Sequence, residues 1–325
     1  MKEKFLTRGE DSFNLAPYKY PWAAAMCKQS RMNGWNPEEV PMGADKACHA
    51  GLSPDEAHMF KHVFATLTTS DMAIGANLAE RVYPAVKAAE VRAYIARQIA
   101  EEELHSESYQ HVLEVLGVDQ EETYTLYQRA PEIKGWFDLG REAQDTDLLH
   151  FLVFYYCIWE GVFFMTGFAP IYSLQRRNLM TGTGAQLQYI QRDEAMHVAF
   201  GIKLINEIRK EEGDSLNPSI LRGWFTRSLD ALERWAGYCV PPVLGYSAET
   251  HVEHARYLAD RRLKQLGFAP LFDAQEALPW LDEQTGGLRK EKNFFESRVA
   301  EYRTGAGLDF DGAGGMDGVL DWRVG

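Results

Sequence analysis

The sequence FLVFYYCIWEGVFFM, residues 151–165, is the most apolar stretch of this 325-residue chain, and Glu160 is its one charged residue. Apolar or aromatic side chains surround this glutamate on every face of a helix. A buried carboxylate is costly unless it has a partner, a proton or a metal ion. The stretch is also short for a membrane span, where an ionised carboxylate would be costly in lipid. We therefore predict that it forms a buried helix of a large soluble helical bundle.

Two other segments share a pattern in which a glutamate precedes a histidine by three residues. The pair is Glu102 and His105 in IAEEELHSESY, and Glu194 and His197 in QRDEAMHVAF. Residues three apart share a helix face, so each pair can present a carboxylate and an imidazole to one point. Glu101 also shares a face with His105, but the spacing of the second segment favours Glu102. Glu101 is then a neighbour of the site or a solvated residue.

A further acid, Asp71, lies in the apolar segment TLTTSDMAIGAN. Four predicted helices thus contribute an Asp, a Glu-x-x-His pair, a Glu and a second Glu-x-x-His pair. This is the inward-facing ligand set of two-metal carboxylate bundles. Mixed oxygen and imidazole donors suit iron or manganese better than zinc. We predict two metal ions per chain, and buried salt bridges remain the alternative that involves no metal.

Helical periodicity extends over most of the chain, and almost nothing alternates as a strand would. The long central helices are predicted at about 52–81, 85–116, 145–168 and 185–210, with more helix over 220–266. The predicted fold is all-α: a bundle of four ligand-bearing central helices with additional flanking helices. The predicted divisions are an irregular N-terminal arm over 1–52, a helical domain over 53–302 and a flexible, glycine-rich tail over 303–325.

Composition excludes several classes of function. The net charge of −13 would repel a polyanionic backbone, so nucleic acid is not an expected partner. The four cysteines show neither paired nor metal-type spacing, which is typical of free thiols in a cytoplasmic protein. The N-terminal segment MKEKFLTRGEDSFNL lacks the apolar core of a signal peptide. We expect a cytoplasmic protein that binds neither nucleic acid nor a membrane.

Over most of its length the sequence resembles the small, beta subunit of class I ribonucleotide reductase, a ferritin-like di-metal carboxylate family. The spacings of 31 residues from Asp71 to Glu102 and 34 from Glu160 to Glu194 agree with that family. The resemblance implies a di-iron centre as the first choice, with manganese or a mixed manganese–iron pair as alternatives. It also implies six metal ligands: Asp71, Glu102, His105, Glu160, Glu194 and His197.

The resemblance assigns further roles around these ligands. Tyr109, one turn beyond His105, matches the tyrosine that carries a stable radical in the family. Phe164, Phe168 and Ile190 match the apolar pocket that shields this radical. Read without the resemblance, all four would be ordinary core residues at helical spacing.

An electron path to the protein surface is implied as well. Trp35 in GWNPEEVPM matches the tryptophan that passes electrons between the surface and the metal site. Asp193 matches the acid that links the ligand His105 to this tryptophan. Such a hydrogen bond would fix the tautomer of the histidine. Gly34 departs from the pattern, since a larger and often aromatic residue is expected there.

At the C-terminal end, KNFFESRVAEYRTG resembles the family segment that carries the tail tyrosine, here Tyr302. This tyrosine would relay the radical to the large catalytic subunit, on which the tail would dock through Val319, Leu320 and Trp322. The ending DWRVG is less acidic than many tails of the family. The family usually forms homodimers, so a homodimer is expected.

The implied function is that of the radical-generating small subunit of ribonucleoside-diphosphate reductase, with ribonucleotides reduced on the large subunit. One alternative is a related ligand-binding oxidase with a mixed manganese–iron centre and a tyrosine–valine crosslink. Tyr155 stands at the crosslinking position, but Ile74 replaces the valine, and that oxidase needs neither Tyr109, Trp35 nor Tyr302. A ferritin-like iron-binding protein is the other alternative, and it would leave the glycine-rich tail unexplained.

Overall fold

A computed structural model describes residues 6–243 and 245–281 of the chain, without the side chains of residues 124 and 127. Within these residues the backbone is helical, and its extended pairing is limited to one isolated bridge between Val243 and Tyr246. The predicted all-α fold is confirmed. The helices, in chain order, are α1 Pro21–Met32, α2 Asp45–Ala50, α3 Pro54–Asn77, α4 Ala89–Leu116, α5 Gln120–Arg129, α6 Pro131–Gln144, α7 Leu148–Leu152, α8 Ala169–Gln175, α9 Thr181–Glu212, α10 Pro218–Cys239 and α11 Ala248–Gln265.

Two of these helices continue beyond their first segment. After α3 the chain passes through a π-helical turn, Leu78–Val82, and a last helical turn, Tyr83–Ala85. After α7 it continues as a π-helical segment, Val153–Phe164, and ends in Met165–Gly167. π-helical hydrogen bonding is rare and occurs often at functional sites. The segment that carries Glu160 is therefore irregular where the sequence predicted an ordinary helix.

Local sequence signals set the ends of the central helices. Ser53 and Glu56 form the capping box that begins α3, each side chain bonding the backbone N–H of the other residue. Gly117 ends α4 with a left-handed φ of 73°, a conformation that glycine adopts without steric cost. The predicted irregular arm over 1–52 is wrong in part, because α1 and α2 lie within it.

The centre of the molecule is formed by α3, α4, α7 with its π-helical continuation, and α9. In it, α3 packs on α4 and α9 packs on the π-helical segment, while α1 covers α4 and α11 covers the π-helical segment. Every residue of Val153–Phe164 is buried. The span Leu148–Gln175 is long and apolar enough to cross a membrane, but 94% of its apolar window is buried inside the protein. It is a core helix.

Candidate metal centre

Six polar side chains from the four central helices meet inside the bundle, and each is at most 1% exposed. One comes from α3, two from α4, one from the π-helical continuation of α7 and two from α9. Both pairs from α4 and α9 have the three-residue spacing that places them on one helix face. The six residues are Asp71, Glu102, His105, Glu160, Glu194 and His197.

These side chains form two overlapping groups. In the first, Asp71 and His105 join Glu102 and Glu194; in the second, Glu160 replaces Asp71 and His197 replaces His105. Within each group the candidate ligand atoms lie within 4.8 Å of one another. Glu102 and Glu194 belong to both groups, so their carboxylates lie between two neighbouring positions for a cation.

The unsatisfied atoms of this cluster test whether it suits metal ions. Both carboxylate oxygens of Asp71 and of Glu194 lack a hydrogen-bond partner, as do the Nδ1 atoms of both histidines. Buried polar atoms without partners are costly, and each cluster of them requires an explanation. Four carboxylates beside two neutral imidazoles carry a charge that two divalent cations would balance. Oxygen and imidazole donors together suit iron or manganese, so the residues fit such a pair.

The proton affinities of the acids support the same interpretation. Burial, and next the charge of Glu102, raise the pKa of Asp71 well above its usual value. Burial, and next the charge of Glu194, do the same to the pKa of Glu160. Burial also acts to raise the pKa of Glu102, but the charge of His197, and next the nearby imidazole of His105, outweigh it and lower that pKa to about 2. Without cations, the cluster therefore retains protons on some of its acids.

Behind His105 lies the chain of contacts that the resemblance implied. The Nε2 atom of His105 is 3.6 Å from Oδ2 of Asp193, and the indole N–H of Trp35 donates to the same oxygen at 2.8 Å. Arg192 lies 3.0 Å from the other oxygen of Asp193. The Trp35 ring stacks on Tyr189, with ring centroids 5.3 Å apart. Asp193 therefore lies between the histidine and an aromatic pair, bonded to the indole but slightly beyond hydrogen-bond distance of Nε2 of His105.

The loop that carries Trp35 is attached to the N-terminal end of α9. The Asp45 carboxylate accepts hydrogen bonds from the backbone N–H groups of Gly182 and Thr183 at 3.1 and 2.6 Å. The Gln186 amide donates to the Pro37 carbonyl at 3.0 Å. These contacts hold the loop, and the start of α2 that follows it, against α9, which also supplies Asp193.

Behind His197 lies Glu101, which the sequence placed either beside the site or in solvent. The Nε2 atom of His197 is 3.0 Å from Oε2 of Glu101, which is 2% exposed. The Ser30 hydroxyl donates to the other oxygen of Glu101 at 2.5 Å, and Nε of Arg97 lies 3.2 Å from it. The signal that could have identified Glu101 is its position, because it precedes Glu102 as Asp193 precedes Glu194.

Gln98 and Tyr156 are two further residues near the site that sequence reasoning missed. The Gln98 amide donates to Oε1 of Glu160 at 2.9 Å, and the Tyr156 hydroxyl donates to the Gln98 carbonyl oxygen at 2.9 Å. Each lies one helical turn before a candidate ligand, Gln98 before Glu102 and Tyr156 before Glu160. Close packing holds Tyr156 in place, since a Cβ on Gly201 of α9 would lie 2.0 Å from its ring.

Tyr109 is fully buried, and its hydroxyl has no hydrogen-bond partner. Burial, and next the charge of Asp71, raise the pKa of this phenol well above its usual value. The aromatic ring that the structure places against Tyr109 is Phe64, edge to face at 5.8 Å, which the sequence did not predict. The residues expected to form the apolar pocket, Phe164, Phe168 and Ile190, are all fully buried.

Two other expectations concern residues outside the ligand cluster, Tyr155 and Tyr302. The hydroxyl of Tyr155 accepts a hydrogen bond from Asn77 at 2.7 Å and donates to the Gly140 carbonyl at 3.3 Å, while Ile74 is buried. Asn77 and Gly140 thus hold the phenol that the oxidase alternative would crosslink. Tyr302 and the tail lie outside the described residues.

Comparisons with known proteins identify the family. Residues 12–279 match the family described as ribonucleotide reductase, small chain. The chain is 33% identical over 321 residues to the ribonucleoside-diphosphate reductase subunit beta of Chlamydia pneumoniae, covering 92% of each chain.

Two solved structures share the fold. The putative class I ribonucleotide reductase of Bacillus halodurans has a TM-score of 0.76 and 22% identity, covering 81% of this chain and 99% of that one. The ribonucleotide reductase Rnr4 homodimer of Saccharomyces cerevisiae has a TM-score of 0.75 and 20% identity, covering 92% of each chain. With the family match over most of its length, this chain belongs to the ribonucleotide reductase small-chain family.

Proposed function

We propose that this chain generates and stores a tyrosyl radical for the reduction of ribonucleoside diphosphates on a separate large subunit. Small chains of this family are di-metal carboxylate proteins that work with such a subunit. The observation that carries the proposal is the pair of overlapping ligand groups that share Glu102 and Glu194. Two bound ions would supply oxidising power by reacting with dioxygen or an oxidant derived from it.

The six converging side chains are the proposed ligands. Asp71 and His105 would hold one ion, Glu160 and His197 the other, and the two shared glutamates would contact both. Iron is our first choice for both ions, and the donor set also suits manganese or a mixed pair. The chain's contribution is to orient these donors and to exclude water from around them.

Tyr109 is the proposed radical carrier. Because burial raises the pKa of its phenol, the neutral form must lose a proton together with the electron. The Asp71 carboxylate is a neighbouring charge that acts on this phenol. Phe64 would exclude water on one side. We propose the same shielding role for the buried side chains of Phe164, Phe168 and Ile190.

Reconstitution tests the radical assignment. Metal-free protein is loaded with ferrous iron, exposed to oxygen and examined by electron paramagnetic resonance. The wild type should give a tyrosyl signal, which Tyr109→Phe should abolish. Tyr94→Phe is the matched control, because Tyr94 is also buried on α4 with an unpaired hydroxyl. A signal that persists in Tyr109→Phe would contradict the assignment. So would the absence of any radical with iron, with manganese plus a flavoprotein-derived oxidant, or with a mixture.

We also propose that the oxidising equivalent leaves through Asp193 and Trp35 and reaches the large subunit through Tyr302. The tail over 303–325 would dock there, with Val319, Leu320 and Trp322 as apolar anchors. A synthetic peptide of the tail should compete with subunit association, and a peptide without effect at high excess would refute docking.

A homodimer and a cytoplasmic location complete the proposal. The homodimer is supported by the shared fold of the Saccharomyces cerevisiae homodimer, and sedimentation of the purified chain tests it. Free thiols at Cys27, Cys48, Cys157 and Cys239 suit a reducing compartment. Fractionation of cells that produce the full chain tests the location.

A further inference from the structure

An acid stands directly before the glutamate of each Glu-x-x-His pair. Glu101 precedes Glu102 on α4, and Asp193 precedes Glu194 on α9. Glu101 is 2% exposed and Asp193 is 3% exposed. Neither acid contacts the histidine of its own helix in the arrangement described above. Asp193 of α9 faces the Nε2 atom of α4's histidine, and Glu101 of α4 faces the Nε2 atom of α9's histidine. Each helix thus places an acid behind the other's histidine, within hydrogen-bond distance at His197 (3.0 Å) and slightly beyond it at His105 (3.6 Å).

The surroundings of Glu101 hold its carboxylate in one orientation. One oxygen accepts the hydrogen bond from Ser30 and lies 3.2 Å from Nε of Arg97, which also donates to the Ser30 hydroxyl at 3.0 Å. The other oxygen lies 3.0 Å from Nε2 of His197. With both oxygens engaged, the carboxylate is a directed acceptor. Its charge is partly offset by the nearby guanidinium, so burial does not leave it unpaired.

The opposite nitrogen of His197 faces the ligand cluster. Its Nδ1 atom lies 3.2 Å from Glu102 and 3.4 Å from Glu194 and has no hydrogen-bond partner. A carboxylate that accepts a hydrogen bond at Nε2 places the proton on that nitrogen. The lone pair of Nδ1 is then available to a cation, and the ring cannot rotate without losing the bond.

We infer that Glu101 is a positioning residue that holds His197 as an Nδ1 ligand through the 3.0 Å contact at Nε2. This inference rests on the proposed metal centre. The two acids differ in what meets them from behind. Asp193 accepts the indole N–H of Trp35, whereas Glu101 accepts a serine hydroxyl. Glu101 therefore orients a ligand without linking it to the electron path.

Metal titration of the full-length, metal-free chain tests the inference. Under anaerobic conditions, calorimetry with ferrous iron should show two ions bound by the wild type. Glu101→Leu keeps the size of the side chain but removes the acceptor, so one ion should bind roughly 10- to 100-fold more weakly. Glu101→Gln keeps a carbonyl acceptor and should give an intermediate loss. Glu103→Gln is the matched control, because Glu103 is exposed on the same helix; it should bind both ions like the wild type.

Proton magnetic resonance of the ferrous protein separates positioning from a general loss of structure. Each coordinated imidazole should give a paramagnetically shifted Nε2–H resonance that exchanges with solvent. In Glu101→Leu one of the two resonances should shift or disappear by exchange, and the other should stay unchanged. Ser30→Ala, which leaves Glu101 in place but removes its donor, should shift the same resonance by a smaller amount.

The possible outcomes separate the two proposals. If Glu101→Leu binds both ions with wild-type affinity and keeps both resonances, the positioning role is overturned while the metal centre stands. If Glu101→Leu fails to fold, Ser30→Ala decides, and an unchanged spectrum in that variant overturns the role. If the wild type itself does not bind two ions, the proposed metal centre is overturned, and the role of Glu101 with it.

Discussion

Behind His105 the structure places Asp193 and the indole of Trp35, whereas behind His197 it places Glu101 and a serine hydroxyl. We call the group around His105 the first half of the centre and the group around His197 the second half. On the side that faces the candidate ligands the two halves are nearly equivalent, since each contributes a Glu-x-x-His pair from one long helix. The side away from the ligands is different, because the acid behind His105 accepts the indole N–H of Trp35, whereas the acid behind His197 accepts a serine hydroxyl. A repeated motif thus provides two candidate metal positions, and under the proposed function the next contact outward distinguishes the half on the electron path.

The largest effect is expected from a substitution of Trp35, in the half of the centre that contains His105. Trp35→Phe removes the indole N–H that Asp193 accepts and replaces the ring that stacks on Tyr189. We expect both ions to bind, while turnover with the large subunit falls to background. A coupled assay of deoxyribonucleotide formation measures this. Trp22→Phe is the control, because Trp22 packs on Phe200 elsewhere on α9, and its turnover should be normal. Normal turnover of Trp35→Phe would remove the distinction between the halves.

A smaller effect is expected from a substitution of Gln98, in the half of the centre that contains His197. Gln98→Leu removes the amide that donates to Glu160 at 2.9 Å and, less closely, to the shared Glu102 at 3.4 Å, so the ion held by Glu160 and His197 should be weakened most, about 10-fold. Calorimetric titration of the metal-free chain with ferrous iron measures this. Gln110→Leu is the control, since Gln110 is exposed on the same helix and bonds only Glu114 among its described contacts. Equal weakening of both ions by Gln98→Leu would show that the halves are not separable.

The smallest expected effect concerns a property that the halves share. The raised pKa values of Asp71 and Glu160 mean that the folded, metal-free protein keeps protons that the unfolded chain releases. The stability that this adds is fully present below the usual carboxyl pKa of about 4 and is lost as the pH rises through the folded-state values. Bound cations displace these protons, so the metal-loaded protein should not show the loss.

Urea unfolding between pH 4 and 8 measures this dependence. Asp71→Asn and Glu160→Gln should each reduce the total stability that the metal-free protein loses as the pH rises, by about 1.4 kcal/mol for each unit by which folding raises the pKa of the acid that the variant removes. Similar reductions by both variants would show that the halves are equivalent at their ligands. If neither variant changes the pH dependence of stability, Asp71 and Glu160 do not keep their protons in the folded, metal-free protein.

Much of the fold could be predicted because helices are built from local signals. The capping box at Ser53, the glycine after Leu116 and the apolar run around Glu160 each act within a few residues along the chain. The arm over 1–52 misled the prediction, because its prolines and glycines concealed α1, whose stability depends on packing against α4. The π-helical hydrogen bonding around Glu160 also left no signal in residue types.

For the candidate site, too, the local features could be predicted and the contacts between helices could not. The helical spacings of Glu102 with His105 and of Glu194 with His197 are properties of one helix each, so they can be read from the chain. The contact between Glu101 and His197 joins residues 96 positions apart. It depends on the rotation and axial shift of α4 relative to α9, which side-chain packing across the bundle determines.

The sequence by itself determined the all-α fold, the buried acid in residues 151–165 and the two Glu-x-x-His pairs, because periodicity and hydrophobicity act over single helical turns. Only the tertiary structure decided that Glu102 and Glu194 belong to both ligand groups and that each preceding acid faces the other helix's histidine. It also decided which of those acids meets an indole. The physical reason is that these contacts depend on how whole helices pack, and no single helix encodes its orientation relative to the others.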